Sequence, residues 1–134
     1  MKDILIVDDE PKLRLLLHRI LQEAGYSLAV AANGVEAMAM CRKEQPKLVI
    51  SDIFMPDMDG IELLENLRES CLGQKVIAMS GGSTHLAADF LHEIATMFGA
   101  AGFLVKPFSK QEVLEAVECA IGRGKGTGRD DLAG

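Results

Sequence analysis

The sequence predicts an α/β fold: a doubly wound, five-stranded parallel sheet with five helices. Three observations predict it. Short apolar runs alternate with helix-like segments from one end of the chain to the other. The runs are apolar throughout instead of at every second residue, the pattern of strands covered on both faces. Between runs there is enough chain for the crossover helices that parallel strands require.

The first strand is Ile4-Leu5-Ile6-Val7. Pro11 then suits the first turn of a helix, where its missing N–H is no loss. Leu13, Leu16, Leu17, Ile20 and Leu21 recur at three and four, and Gly25 is the expected stop. Residues 27–31 form a short second strand, and 35–44 a weaker helix closed by Pro46. The third strand, Leu48-Val49-Ile50-Ser51, leads through Pro56 and Gly60 into a helix bearing Ile61, Leu63, Leu64 and Leu67.

The fourth strand is Val76-Ile77-Ala78-Met79, followed by the loop Ser80-Gly81-Gly82-Ser83 and a helix at about 86–97. Gly99 and Gly102 bracket the entry to the fifth strand, Phe103-Leu104-Val105. Ser109 to Glu112 has the form of a capping box, and Val113, Leu114, Val117, Ala120 and Ile121 make the buried face of the last helix. Residues 1–121 thus read as one domain. Glycines alternating with Arg123, Lys125, Thr127 and Arg129 make 122–134 a flexible tail.

Bulk properties exclude several functions. A chain of 134 residues suffices for one core, and the longest apolar stretches fall far short of a membrane span. Met1-Lys2-Asp3 enters a strand directly, with no signal-peptide pattern, so a cytoplasmic location is expected. A net charge of −6 disfavours direct nucleic-acid binding, which needs a basic face. Cys41, Cys71 and Cys119 form no Cys-x-x-Cys and read as small buried or half-buried hydrophobes. His85 and His92 are too few for a metal site, and His18 belongs to a Leu-rich amphipathic helix.

The chemistry is carried by where the strands end. They run into Asp8-Asp9, Asp52, Ser80 and Lys106. In open parallel sheets, ligands bind outside the carboxyl ends of the strands. Asp8, Asp9 and Asp52 offer the oxygen-rich pocket that a hard cation such as Mg²⁺ prefers. Asp52 is a candidate nucleophile for covalent phosphoryl transfer. The Lys106 ammonium and the Ser80 hydroxyl would offset charge on the transferring group. Each residue alone has a plainer reading: Asp8 as a helix cap, Ser80 as a turn, Lys106 as a surface charge.

With Ile6-Val7-Asp8-Asp9-Glu10-Pro11, Asp52-Ile53-Phe54-Met55-Pro56-Asp57-Met58-Asp59-Gly60, Ser80-Gly81 and Lys106-Pro107-Phe108, the chain resembles the receiver domain of two-component response regulators from residue 2 to about 121. The resemblance implies a flavodoxin-like sheet of order 2-1-3-4-5. It implies that Asp52 is the phospho-acceptor and that Asp9 and Asp52 bind Mg²⁺ directly. Asp8 would act mainly through water, and the Phe54 main-chain carbonyl would complete the coordination. Ser80 is implied as the switch hydroxyl and Phe103 as the switch aromatic, against the plainer reading of Phe103 as core filling. A cis peptide before Pro107 would aim Lys106 inward.

The function so implied is that of a stand-alone receiver. It takes phosphate from a sensor histidine kinase or a histidine phosphotransfer protein. It signals to a downstream protein target through the face made by the fourth helix, fifth strand and fifth helix, without contacting nucleic acid or membrane. It is no enzyme beyond its own phosphorylation and dephosphorylation. Two alternatives stand beside it: the receiver portion of a longer regulator, and a Mg²⁺-dependent phosphohydrolase with an aspartyl nucleophile. Such a hydrolase would want an acid at the position of Phe54. The segment from Ser80 to Lys106 exceeds the family's expected length by about one helical turn, near 82–92.

Overall fold

Strands β1 (Ile4–Val7), β2 (Leu28–Ala31), β3 (Leu48–Asp52), β4 (Lys75–Ser80) and β5 (Gly102–Val105) form one parallel sheet in the order β2-β1-β3-β4-β5. Between them run helices α1 (Pro11–Glu23), α2 (Gly34–Glu44) and α3 (Gly60–Ser70), and a C-terminal helix spans Lys110–Ile121. This computed structural model describes residues 2–53, 60–70, 73–80, 93, 96–97 and 99–122. Of the helix expected at 86–97, Glu93, Thr96 and Met97 are described, each helical. Phe54, Pro56, Cys71, His85, His92, the segment 82–92 and the tail 123–134 lie outside the described residues.

Local chemistry accounts for the element ends. Pro11 occupies the first turn of α1. That helix closes at Gly25, whose φ of 99° suits a residue without Cβ. There the Gly25 and Tyr26 N–H groups donate to the carbonyls of Gln22 and Leu21, the paired bonds of a Schellman stop. Asn33 caps α2 by accepting from the Glu36 N–H. Ser109 and Glu112 form the reciprocal capping box foreseen for the C-terminal helix.

Alternation along the strands divides the core in two. Ile4, Ile6, Leu48, Ile50, Ile77, Met79 and Leu104 meet α1 and the C-terminal helix on one face. Leu5, Val7, Val49 and Val76 meet Ala37, Met38, Cys41, Leu63, Leu64 and Leu67 from α2 and α3 on the other. Each fully buried leucine here adds about 1.5–3 kcal/mol of transfer free energy.

The apolar stripe of α1 is buried only along its second half. Leu17, Ile20 and Leu21 are in the core, Leu13 is half-buried and Leu16 is exposed, because the start of α1 overhangs an open cavity described below. Cys41 is buried as expected, whereas Cys119 is exposed on the outer side of its helix. Among the described residues, no helix is long and apolar enough to cross a membrane.

Candidate functional site

The strand order reverses between β1 and β3, so the crevice at their carboxyl ends is the expected ligand position. Register brings the ends together: Val7 lies opposite Ser51, Asp52 opposite Met79, and Ser80 opposite Val105. Each chemistry-bearing residue follows or ends one of these strands.

Asp8 is fully buried and Asp52 nearly so, while Asp9 is exposed. Carboxylate oxygens of the three lie within 4.8 Å of one another. Such crowding is unfavourable between like charges and calls for a cation. One is supplied by the chain itself. Lys106 Nζ donates to Asp52 Oδ2 at 2.7 Å and to Asp8 Oδ2 at 3.0 Å, the short contacts of charge-assisted hydrogen bonds.

Asp8 does not cap α1, whose N-cap is Glu10 without a side-chain cap bond; it turns the chain just before the helix. Its Oδ1 accepts from the Glu10 N–H at 2.8 Å, at the start of α1, while its other oxygen serves Lys106. Lys106 is held in turn by its own N–H, which donates to the Ser80 carbonyl at 2.8 Å. The Lys106–Pro107 peptide is cis, as the resemblance implied. Burial pulls the Lys106 pKa down, but hydrogen bonds and charge from Asp52 and Asp8 together outweigh it. The net shift is upward from 10.5, and the ammonium stays charged.

Ser80 is buried at the end of β4, and among the described residues its hydroxyl has no hydrogen-bond partner. Phe103 is half-buried and packs beside Ile53 and Ala78. Ala78 is its register partner, and Ser80, two residues on, shares that face of β4. A sheet neighbour thus links the hydroxyl to the aromatic ring.

The donor set fits a hard divalent ion. It is all oxygen, with two buried carboxylates and one open to solvent, the arrangement that lets an ion such as Mg²⁺ keep part of its water shell. Two features escaped the sequence reading. Arg14 donates from Nη1 to the Asp8 main-chain carbonyl at 2.6 Å, which ties α1 to the acidic loop. Long helical side chains lean toward the helix N-terminus, so an arginine one turn into a helix that follows Asp-Asp was the available cue. The second is a cavity of about 290 Å³ lined by Glu10, Leu13, Leu16, Lys106, Pro107 and Phe108. No periodicity marks such a space, because its walls come from both ends of the chain.

Residues 4–118 match the response regulator receiver domain family. The chain is 37% identical over 116 residues to the chemotaxis protein CheY of Halobacterium salinarum, covering 87% of this chain and 93% of that protein. It is 36% identical over 115 residues to sporulation initiation phosphotransferase F of Bacillus subtilis, covering 86% and 90%. Among solved structures, the receiver domain of NtrX from Brucella abortus superposes with a TM-score of 0.82 at 30% identity, covering 89% of this chain and 98% of that one.

Proposed function

The chain belongs to the response regulator receiver domain family of two-component signalling, and on that premise we propose that Asp52 accepts a phosphoryl group from a histidine kinase or histidine phosphotransfer protein. The observation that carries this reading is the pair of bonds from Lys106 to Asp52 and Asp8. It places an ammonium within reach of any oxygen that joins Asp52.

In the step proposed, an Asp52 carboxylate oxygen attacks phosphorus as the phosphorus–nitrogen bond of a donor phosphohistidine breaks. The electron pair of that bond remains on the imidazole nitrogen. Lys106 holds the acceptor carboxylate in place and then turns to the new phosphoryl oxygens, which carry charge it can offset. Asp8, Asp9 and Asp52 are the residues that would hold Mg²⁺, with the Phe54 carbonyl, and the ion would supply charge neutralisation to the transferring group. The buried Ser80 hydroxyl, unpartnered among the described residues, is a donor for which a phosphoryl oxygen on Asp52 would be an acceptor.

Movement of Ser80 toward that oxygen would free space beside Phe103. The equilibrium between two packings of the ring would then shift on the face that includes β5 and the C-terminal helix, where a downstream protein reads it. The apolar cavity beside Lys106, with the exposed Leu16 of α1 in its wall, suits the docking of the phosphodonor protein. On this reading the protein acts on itself and turns over no external substrate.

The test is incubation with a small phosphodonor and Mg²⁺, read by intact mass. Wild-type protein should gain one hydroxylamine-sensitive acyl phosphate, and Asp52→Ala should gain none while keeping its amide spectrum. A phosphate on the mutant would remove Asp52 from the role. Sustained turnover of generic phosphate esters would favour the hydrolase instead.

A further inference from the structure

We infer that Arg14 is a positioning residue for Asp9, acting through the main-chain carbonyl of Asp8. The inference rests on the proposed metal role of the acidic cluster and adds to it a residue outside the cluster.

Asp8 is held on all sides. Its N–H donates to the Ala31 carbonyl at 3.2 Å, its Oδ1 accepts from Glu10 N–H, and its Oδ2 accepts from Lys106. Asp9 is not held in this way. It is exposed, and among the described residues neither its side chain nor its N–H has a hydrogen-bond partner. The direction of its carboxylate therefore depends on the peptide that joins it to Asp8.

A peptide unit is planar, so fixing its carbonyl oxygen fixes its amide nitrogen and the following Cα as well. The group that fixes this one is the Arg14 guanidinium, 2.6 Å from the Asp8 oxygen. Arg14 is half-buried on the second turn of α1, and its own N–H donates to the Glu10 carbonyl at 3.1 Å. Its guanidinium thus holds the carbonyl that precedes Asp9, while the backbone bond to Glu10 is the ordinary helical bond that any residue at 14 would make.

A plainer reading makes Arg14 only a counter-charge for crowded carboxylates. The two readings predict opposite signs. A guanidinium beside the cluster repels a divalent cation, so a mere charge, once removed, leaves the cation bound more tightly. A clasp, once removed, leaves Asp9 free to turn away and the cation bound more weakly. Groups that orient metal ligands typically change affinity by about ten-fold or more when lost.

The experiment is a Mg²⁺ titration of the full chain, followed by amide chemical shifts, for wild type, Arg14→Ala and Arg14→Lys. Arg14→Ala should bind Mg²⁺ about ten-fold more weakly. Arg14→Lys, which keeps a donor for the carbonyl, should recover most of that loss. Unchanged or tighter binding by Arg14→Ala would overturn the inference, as would an Arg14→Lys as weak as Arg14→Ala. If wild type itself binds no Mg²⁺, the metal reading fails separately. The clasp is then judged on Asp9 alone: Arg14→Ala should shift the Asp9 amide and Cα resonances and speed amide exchange there, while residues beyond 8–14 stay as in wild type. An unmoved Asp9 would overturn it.

Discussion

Lys106 Nζ lies 2.7 Å from Asp52 Oδ2, a contact between residues 54 positions apart that closes the carboxyl edge of the sheet from β5 to β3. The same nitrogen reaches Asp8, 98 positions away. One ammonium therefore compensates two buried carboxylates, and the consequences of removing it can be stated.

Lys106→Met leaves Asp8 and Asp52 buried without their cation. Breaking such a pair costs roughly 3 kcal/mol, the low end of the range because the Lys106 side chain keeps some solvent contact. The Lys106 pKa is raised in the folded state, so its stabilisation is fully present below 10.5 and is lost as pH rises through the higher folded value. Urea midpoints should show the wild-type advantage at neutral pH and its shrinkage above that point. An advantage that grows with alkalinity would contradict this assignment.

Asp9→Asn removes one charge from the crowded trio without removing any bond, because Asp9 is exposed and unpartnered among the described residues. The substituted protein should be more stable than wild type in the presence of a chelator. It should also lose the stabilisation that Mg²⁺ gives wild type, about 1.4 kcal/mol at ten times the dissociation constant. Denaturation curves with Mg²⁺ and with chelator check both halves.

Ser80→Ala should leave the unphosphorylated protein within about 1 kcal/mol of wild type, on the stable side, since the buried hydroxyl has no partner among the described residues. After phosphorylation the resonances of Phe103 should move in wild type and stay in place in the mutant. Movement in both would separate Phe103 from Ser80.

Ser109→Ala removes one half of a reciprocal cap at the start of the C-terminal helix. The expected loss is about 1 kcal/mol, read as a lower thermal midpoint with unchanged phosphate uptake. Reduced uptake would mean that this cap also holds the Lys106 loop in place.

What could be read in advance was local. Helix starts at Pro11 and Ser109, the stop at Gly25 and the strand identity of the apolar runs all depend on residues within a few positions of one another. The strand-end residues Asp8, Asp9, Asp52, Ser80 and Lys106 were legible for the same reason, since a polar residue closing an apolar run is a local event. Their roles came from resemblance, and the position of Phe54 lies outside the described residues.

By itself, then, the sequence determined the elements and which side chains end them. The tertiary structure decided which of those side chains touch. That Lys106 is shared by Asp8 and Asp52, that the Ser80 hydroxyl is buried and that Phe103 is only half covered all follow from strand order and register. These contacts join residues up to 98 positions apart, and hydrophobic pattern carries no term for the partner across the sheet.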